Sequence, residues 1–558
     1  MRKEDRPLLL VVAAAALFRV AFFLQYRARS VFFDVPSLDA LLYDQWARQI
    51  AAGTYRATRP FYFAPGYPYA VAVLYRYLSS SLTALYVTQL LLGLVTIVLV
   101  HRLAAAAFGR RAGLIATVLV ALYAPFPFLE MKVLSATLAV TLLLGTLAAL
   151  SDARARGGWW RWSIGGVLLG ATSLVRPETL IFAPLLAVWL VRWRAPLAGA
   201  VVVFASWAAA IAPVAVHNLR AGGGLGTLIS SQGALAFYQA NNPRARGFFV
   251  LLREDGFSGA PDRQEQEEQA LAERAAGRPL TRAEVSRYWL GRGLAFIASH
   301  PGQFLRLLGQ KLLKFAGSTE YATEFNLRVE RETLWLLWLP CLPFALLFAL
   351  AVPSLVARAP NAAASLLRAA FLATLATVLV FYMSSRYRLA AVPPLTAFAA
   401  CTLERFATRG RRALLTAGVV LGIFAVAHPE WDTTGVHQDA AAHCNIGLAW
   451  IGRKGDPARA VPEFRRSVEL DPSRAECWYD LGVALLALRL PVDAAGAFGE
   501  ATTRTPTYVE AHVGRGRALE EAGDAAGARA AYAAALRLRP GDPELARALQ
   551  RLDAGRGG

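Results

Sequence analysis

Long runs of apolar residues alternate with short polar loops through most of this chain. A helix needs about 20 apolar residues to cross the hydrocarbon core of a bilayer. Runs close to that length predict about eleven membrane-spanning helices, at 8–25, 84–107, 112–128, 133–150, 163–175, 178–192, 196–216, 333–352, 365–383, 388–404 and 412–428. The pattern therefore predicts an all-α fold that contains a polytopic transmembrane helical bundle.

Basic residues cluster in every second loop between these runs. They are Arg2, Lys3 and Arg6, Arg110 and Arg111, Arg154, Arg156 and Arg161, Arg192 and Arg194, Arg358 and Arg368, and Arg405, Arg409, Arg411 and Arg412. Positively charged loops remain on the cytoplasmic side of a membrane. Three parts are then expected outside: the loops 27–82 and 217–332 and the C-terminal tail. We expect a multi-pass protein of a bacterial inner (plasma) membrane, with its active site and tail in the periplasm.

The composition agrees with a membrane protein rather than with a soluble enzyme. Of the 558 residues, 56% are hydrophobic, and the mean hydropathy is +0.38. The formal net charge of +20 reflects loop arginines, so it does not indicate a nucleic-acid partner. The four cysteines are too few and too scattered to predict a disulfide framework. Cys444 and Cys477 are expected to be small buried residues in helices.

The tail contains an internal repeat of 34 residues. The repeated positions are Pro472, Pro506 and Pro540, Gly482 and Gly516, Ala494 and Ala528, Phe498 and Tyr532, and Ala501 and Ala535. Small residues where paired helices touch, with a proline that closes each unit, are typical of the tetratricopeptide repeat, which this pattern resembles. An earlier copy around Gly447 has one extra residue. Trp478 and Phe498 are expected to pack inside the middle helix pair.

The repeat pattern also sets the expected domain boundaries. We predict a multi-span membrane domain over 1–432 and an α-solenoid of about three tetratricopeptide repeats over 433–558. Such repeats bury a core only by stacking on their neighbours. The array is expected to bind a protein or polysaccharide partner.

The first outer loop carries an ordered set of polar and aromatic residues next to the membrane. The stretch from Asp39 to Gly53 reads DALLYDQWARQIAAG. It resembles the first-loop motif of GT-C class membrane glycosyltransferases, which include protein O-mannosyltransferases and lipid A aminoarabinose transferases. By register, Asp39 takes the place of the aspartate in the motif, and Tyr43 that of the aromatic residue after it. Ala40 stands where the family usually has glutamate.

Other segments resemble the same class in the same order along the chain. They are 63–68 (FAPGYP), 173–178 (SLVRPE), 237–243 (FYQANNP, with Ala240 in place of a glycine) and 385–389 (SRYRL) followed by Pro393 and Pro394. Together the matches span about residues 8–405. The resemblance implies a site at the outer face that transfers a sugar from a polyprenyl-phosphate donor.

Carboxylates are the candidate catalytic groups. Transfer of a glycosyl group to a hydroxyl needs a base that takes the proton of the acceptor. Asp39 is the candidate base, and its alternative role is that of a helix N-cap. Glu130, between the third and fourth apolar runs, is a candidate second carboxylate, or else an interfacial ion pair with Lys132. Asp44 is expected to pair with Arg48, one helical turn further on.

Cations are needed for the phosphate of a lipid-linked donor. Arg386 and Arg388 flank Tyr387 at the outer start of an apolar run, and Arg176 lies in a turn broken by proline. With Tyr43, these residues form the predicted donor- and phosphate-binding set. Arginines at the end of a span also snorkel to the membrane surface without binding a ligand.

The remaining polar residues have weaker assignments. Asn241 and Asn242, in the large outer loop, form a candidate substrate loop. Lys311 and Lys314 follow an amphipathic pattern that predicts a helix on the membrane surface. Arg19, inside the first span, is expected to have a buried ionic partner.

No cofactor is evident in the sequence. It contains no His-x-x-x-His, no Cys-x-x-Cys, no P-loop and no Rossmann glycine fingerprint, although a divalent metal remains open. The favoured function is hexosyl or pentosyl transfer from a polyprenyl-phosphate sugar. The alternatives are a transporter or flippase of lipid-linked envelope precursors, a non-enzymatic repeat scaffold for envelope assembly, and an O-antigen-ligase-like enzyme.

Overall fold

The chain folds into two compact units. The computed structural model describes residues 6–252, 255–257, 261–322, 324–406, 410–428 and 434–554. The larger unit comprises 1–323 and 331–431, and the smaller comprises 324–330 and 432–558. The described residues form helices and two isolated β-bridges, with no longer strand among them. The all-α prediction is confirmed, while the predicted boundary at 432/433 lies outside the described residues.

The larger unit is built from nineteen of the helices that the structure describes. They are α1 (Arg6–Arg29), α2 (Asp39–Ala51), α3 (Gly66–Tyr77), α4 (Leu82–Phe108), α5 (Arg110–Ala121), α6 (Pro125–Glu130), α7 (Ala136–Arg156), α8 (Trp159–Val175), α9 (Phe182–Arg192), α10 (Leu197–Arg220), α11 (Gly233–Ala240), α12 (Gln264–Ala276), α13 (Arg282–Ser299), α14 (Pro301–Ala316), α16 (Phe344–Val356), α17 (Ala362–Val380), α18 (Ser385–Arg388), α19 (Val392–Phe406) and α20 (Gly410–Ala427).

Five helices among the described residues are long and apolar enough to cross a membrane. They are α1, α4, α7, α10 and α17, whereas α16 and the 414–427 part of α20 are shorter apolar helices. The count of eleven is not confirmed, because several predicted spans fold as shorter helices: α5 has 12 residues, α8 has 17 and α9 has 11. A helix of 12 residues is about 18 Å long, and the hydrocarbon core is about 30 Å thick.

Small residues decide where the apolar helices come closest. A Cβ on Gly166 of α8 would lie 2.3 Å from the carbonyl oxygen of Val203, and one on Gly170 would lie 2.4 Å from Cβ of Ala210. Glycines one turn apart let two backbones approach, which is a common way to join helices in membranes. The pair α8 and α10 is therefore in close contact along the middle and C-terminal half of α8, the helix that Arg176 follows.

The smaller unit is the repeat array. Its helices are α15 (Leu327–Glu330), α21 (Thr434–Lys454), α22 (Pro457–Leu470), α23 (Ala475–Ala487), α24 (Pro491–Arg504), α25 (Val509–Glu521), α26 (Ala525–Leu538) and α27 (Pro543–Ala554). In each helix pair, a glycine of the first helix faces an aromatic ring of the second. These contacts join Gly447 to Phe464, Gly482 to Phe498 and Gly516 to Tyr532, as the predicted register requires.

Two sequence-based expectations for the repeats need correction. Phe498 is buried as expected, whereas Trp478 packs against the same core but is only half-buried. The indole N–H of Trp478 donates to the carbonyl of Pro472 at 3.0 Å. Cys444 and Cys477 are buried, and they also form a disulfide. They are 33 residues apart, close to one repeat length, so stacking of the first helices of two repeats brings the sulfurs together.

Candidate active site

The candidate base and a candidate phosphate-binding cation form an ion pair. Nη1 of Arg386 lies 3.1 Å from Oδ2 of Asp39, and the two residues are 347 positions apart in the chain. Asp39 is the first residue of α2, and the cap position before it is Leu38, at a φ of 50°. Asp39 is therefore not the N-cap of its helix. Both side chains keep about a fifth of their surface exposed, 23% for Asp39 and 21% for Arg386.

Arg176 lies next to this ion pair. Helix α8 ends before it, since Pro177 cannot continue the helix. Nη2 of Arg176 donates to the backbone carbonyl of Arg386 at 3.2 Å, and its guanidinium lies 5.0 Å from the centre of the Tyr387 ring. Nη1 donates to Glu178 Oε1 at 2.9 Å. The structure thus brings together Arg176, Arg386 and Tyr387, three of the residues that the sequence analysis named as candidates for donor binding.

A cavity opens beside the two arginines. The space within the cavity and its mouth, part of it open to solvent, is about 550 Å³. Its lining residues are Ala136, Ala139, Val140 and Leu143 of α7, Phe182 of α9, Ala370, Ala373, Thr374 and Thr377 of α17, and Arg176, Glu178, Thr179, Arg386, Tyr387 and Ala390. The lining therefore combines mostly apolar side chains of two candidate membrane spans with the polar groups of Arg176, Glu178 and Arg386.

Arg388 has a different environment from Arg386, although the two are only two residues apart. Its guanidinium is fully buried and donates to the carbonyls of Phe315, Gly317 and Thr319 at 3.3, 2.7 and 2.9 Å. It also pairs with Glu320 at 2.7 Å. These partners anchor α18, and Arg388 is absent from the cavity wall. We assign it to the support of Arg386 rather than to phosphate binding.

Glu130 is engaged elsewhere. It is fully buried, and both of its carboxylate oxygens accept hydrogen bonds from the guanidinium of Arg19, at 2.7 and 2.8 Å. The expectation that Arg19 has a buried partner is confirmed. Because Glu130 neutralises a charge inside a candidate span, we remove it from the catalytic set.

Helix α2 is held by its second carboxylate and by an aromatic contact. Asp44 accepts from Nε of Arg48 at 2.9 Å, as predicted, and also from the hydroxyl of Tyr75 at 2.6 Å. Tyr43 packs edge-on against Tyr67, with ring centres 5.4 Å apart. Both contacts tie α2 to α3, so they fix the position of Asp39 at the start of α2.

The two asparagines of the outer loop are used for structure. Asn241 donates to the carbonyl of Val380 at 2.8 Å and accepts from Nζ of Lys311 at 3.1 Å. Asn242 donates to the carbonyls of Tyr238 and Gln239. Both asparagines are buried. We assign Asn241 to holding the loop on the end of α17, and Asn242 to closing the end of α11, rather than to substrate contact.

The sequence analysis did not predict that Lys311 contacts Asn241 and the end of α17. The amphipathic pattern of α14 predicted a surface lysine, but its side chain is fully buried. Its Nζ also donates to the carbonyl of Leu379 at 2.9 Å. Burial lowers the pKa of the Lys311 ammonium to about 7. The apolar half of α14 gave no signal that this lysine faces inward.

The sequence analysis also did not predict which residues of α17 line the cavity. Ala370, Ala373, Thr374 and Thr377 lie on one face of α17, at helical spacing. A stripe of small and hydroxyl-bearing residues within an apolar run was the available signal for this wall.

Within the described ranges, no group of three or more His, Cys, Asp or Glu side chains could hold a metal ion.

Comparison with known proteins first concerns the smaller unit. The model of the tetratricopeptide repeat family matches residues 452–508 and 493–543. The C-terminal tail is a tetratricopeptide-repeat array. The tetratricopeptide domain of Arabidopsis OM64 is a similar solved structure, at 24% identity and a TM-score of 0.20, over 21% of this chain and 96% of that one. No curated protein sequence matches this chain.

Two solved membrane proteins are similar to most of this chain, and not only to its tetratricopeptide repeats. ArnT from Cupriavidus metallidurans, bound to undecaprenyl phosphate, matches 95% of this chain and 80% of its own, at 13% identity and a TM-score of 0.45. The Archaeoglobus fulgidus oligosaccharyltransferase matches 82% of this chain but only 59% of its own, at 14% identity and a TM-score of 0.44.

These two proteins are of the kind that the sequence motifs resemble. This chain spans less than two thirds of the length of the oligosaccharyltransferase. TM-scores below 0.5 do not establish a shared fold. The chemistry of the site therefore has to carry the assignment of function.

Proposed function

We propose that this chain is a membrane glycosyltransferase that moves a sugar from a polyprenyl-phosphate donor to a hydroxyl acceptor at the outer face of the membrane. The observation that carries the proposal is the ion pair between Asp39 and Arg386 beside the cavity of α7 and α17. This arrangement supports the proposal, because a carboxylate that could act as base, an arginine that could bind phosphate and an apolar lining lie close together.

The cavity supports a lipid-linked donor. Its wall of alanine, valine and leucine side chains suits a polyprenyl chain, while Arg386 and Arg176 suit the phosphate at the end of that chain. Arginine binds phosphate well because its planar guanidinium presents several donors in a fixed fork. A donor without a lipid chain would leave the apolar wall unused.

The ion pair supports a role for Asp39 in proton transfer. In the proposed step, the acceptor oxygen forms a bond to C1 of the sugar, and the bond from C1 to the phosphate oxygen breaks. The electron pair of that bond leaves with polyprenyl phosphate, next to the cations Arg386 and Arg176. The acceptor proton passes to the carboxylate of Asp39. Arg386 lies 3.1 Å from Asp39. One arginine would therefore contact both the departing phosphate and the carboxylate that takes the proton.

Two features support an outward orientation. Arginines cluster in alternate loops, a pattern that keeps those loops in the cytoplasm. The disulfide between Cys444 and Cys477 is typical of an oxidising compartment such as the periplasm. Both features favour a bacterial inner membrane with the repeats outside, where they would recruit a protein partner.

The direct test is transfer by the purified full-length protein. It would be incubated with a panel of polyprenyl-phosphate sugars, and the release of free polyprenyl phosphate would be measured with and without candidate acceptors. Release that depends on the acceptor and on Asp39 is the expected result. If no donor is turned over, but the protein moves lipid-linked precursors across proteoliposomes, the transporter alternative replaces this proposal.

A further inference from the structure

A segment of the chain itself is bound by the first repeat helix. The segment 324–330 belongs to the smaller unit and packs with α21. Nη2 of Arg328 lies 2.8 Å from one carboxylate oxygen of Asp439, and Nδ2 of Asn326 donates to the other at 2.8 Å. Asn445 of α21 donates to the backbone carbonyl of Glu324 at 3.5 Å. The array therefore already holds a peptide segment by its backbone and by an arginine.

The repeat register carries this arrangement one unit further. Gly447 and Gly482 are equivalent positions, 35 residues apart because the first copy has one extra residue. The same shift relates Asn445 to Asp480 on α23. Helices α21 and α23 contact each other, so the face that holds the segment 324–330 continues onto α23. At the position of α23 equivalent to Asn445, Asp480 has a carboxylate in place of the amide.

Asp480 has no cationic partner within the described part of the chain. The nearest sulfur is that of Cys444, 4.0 Å from Oδ2, and it belongs to the disulfide, so it carries no proton to donate. The charged neighbour that acts on Asp480 is another carboxylate, Glu476. Partial burial and Glu476 together raise the pKa of the Asp480 carboxyl to about 7.

Two tyrosines and two further carboxylates lie near Asp480, and the cation Arg517 acts on the adjacent Tyr479. Tyr479 and Tyr508 lie with ring centres 5.1 Å apart. Glu476 already has Arg474 at 3.0 Å, and Glu510 has Arg539 at 2.7 Å. The nearby carboxylates thus have cations of their own, whereas the Asp480 carboxylate needs one from outside.

We propose that the face of α23 around Asp480 binds an extended protein segment that presents an arginine or lysine side chain to Asp480. Charge complementarity selects a basic segment, because the carboxylate would repel an acidic one. The bound segment 324–330, whose Arg328 meets Asp439, shows how such a peptide contacts the adjoining helix. The proposal concerns the repeats and is independent of the transferase activity.

The test uses the full chain, purified in detergent at pH 8, where the Asp480 carboxyl is ionised. The probe is a fluorescent heptapeptide that copies residues 324–330, with glutamine in place of both glutamates. Two analogues carry citrulline or glutamate in place of the arginine. We expect the arginine peptide to bind at least about tenfold more tightly than the citrulline peptide, which keeps the shape but lacks the charge. The glutamate peptide should not bind.

Variants of the protein locate the site. Asp480→Asn should weaken binding of the arginine peptide by at least about tenfold, and Asp480→Lys should shift the preference to the glutamate peptide. Glu500→Gln is the matched control: it removes one negative charge from α24, where Glu500 pairs with Arg504, and should leave binding unchanged.

Several results would overturn the proposal. They are equal binding of the arginine and citrulline peptides, no binding of any peptide by the unaltered chain, and equal binding of the arginine peptide by the unaltered chain and the Asp480→Asn variant. Self-association that Asp480→Asn abolishes would assign the face to a second copy of the chain, and would also overturn it. The charge-reversed variant guards against a loss of binding that comes only from unfolding, since an unfolded array would bind neither peptide.

Discussion

At the scale of residues, the same cation serves the base and the departing phosphate in the proposed mechanism. Arg386 forms an ion pair with Asp39 at 3.1 Å. A donor phosphate would compete with Asp39 for the same guanidinium. Binding of the donor would then loosen the hold on the carboxylate at the moment when a proton acceptor is needed. This coupling requires an arginine with several donors, not a point charge.

The first prediction concerns Asp39. Asp39→Asn keeps the size of the side chain but removes the proton acceptor, so turnover should fall by about 10²–10⁴-fold, while donor binding persists. Turnover at saturating donor and binding of polyprenyl phosphate are the measurements. Asp44→Asn is the matched control: it disturbs the contacts to Arg48 and Tyr75, so it should lower the melting temperature and have only a mild effect on turnover. The reverse outcome would mean that the base is Asp44.

The second prediction separates two neighbouring arginines. Arg386→Gln should weaken binding of polyprenyl phosphate by at least about tenfold, because a charge-assisted hydrogen bond is lost, with little change in melting temperature. Arg388→Gln should instead destabilise the chain by about 1–3 kcal/mol, since buried backbone carbonyls lose their donors. Glu320 also loses its cation, although it keeps the hydrogen bond from the hydroxyl of Tyr123 at 2.6 Å. Thermal melting and donor titration of both variants distinguish a role in donor binding from a role in stability. Equal effects on donor binding with no loss of stability would return Arg388 to the phosphate site.

At the scale of elements, close contacts between helices decide where buried charges fit. Gly93 of α4 faces Glu130 at the end of α6, and a Cβ there would lie 2.0 Å from Oε1. The absence of a side chain at this position leaves room for the ion pair with Arg19. A glycine in the middle of a helix lowers helical stability. At position 93 a glycine is needed because a Cβ would clash with the carboxylate of Glu130.

The third prediction tests this contact. Gly93→Ala should displace the carboxylate of Glu130 and destabilise the chain by about 1–3 kcal/mol, as overpacking of a core does. Gly291→Ala is the control, because Gly291 is an exposed glycine of α13, and a Cβ added there would meet nothing within 4 Å. It should stabilise by about 0.5–1 kcal/mol. Melting temperatures of the two variants in one detergent provide the comparison. A neutral Gly93→Ala would argue against the packing of α4 on α6.

The fourth prediction concerns α14 and the buried Lys311. Its pKa is about 7 in the folded chain and 10.5 as an ordinary value. Between these values the unfolded chain binds a proton that the folded chain does not, so stability rises with pH across this window. Below pH 7 both states are protonated, and the effect is constant. Lys311→Gln should reduce the rise in melting temperature from pH 7 to about 9.5, a range inside that window, and leave the contribution of Lys314, whose pKa burial lowers to about 8. An unchanged slope would mean that Lys311 is not buried in solution.

At the scale of the whole molecule, the chain joins a unit with candidate membrane spans to a tetratricopeptide array stapled by a disulfide. The staple connects the first helices of two neighbouring repeats, α21 and α23. It lies next to Asp480, so it also stiffens the face proposed for the basic peptide. An outward location of the array would let this disulfide form.

The fifth prediction tests that location. In intact cells, Cys444 and Cys477 should resist alkylation until a reductant is added. Reduction should destabilise the array by about 2–4 kcal/mol, whereas the double variant Cys444→Ser, Cys477→Ser should be insensitive to reductant. Melting curves with and without reductant provide the measurement. Free thiols at both positions in freshly prepared membranes would place the array in the cytoplasm.

The sequence by itself determined the features that depend on residues close together in the chain. The 34-residue period fixed the repeat register, and the i,i+4 spacing of Asp44 and Arg48 predicted their ion pair. Both follow from helical geometry, in which neighbours three or four residues apart share a face. The ordered polar motifs also indicated Asp39, Arg176 and Arg386 as candidates.

Only the tertiary structure decided which of those candidates meet. Asp39 and Arg386 are 347 residues apart, and no local pattern could show that they form a pair. Arg386 and Arg388 look alike in the sequence, yet one lines the cavity and the other is buried among carbonyl oxygens. A charged side chain takes its role from the groups that surround it after folding, because burial and partner contacts, not residue type, set its energy.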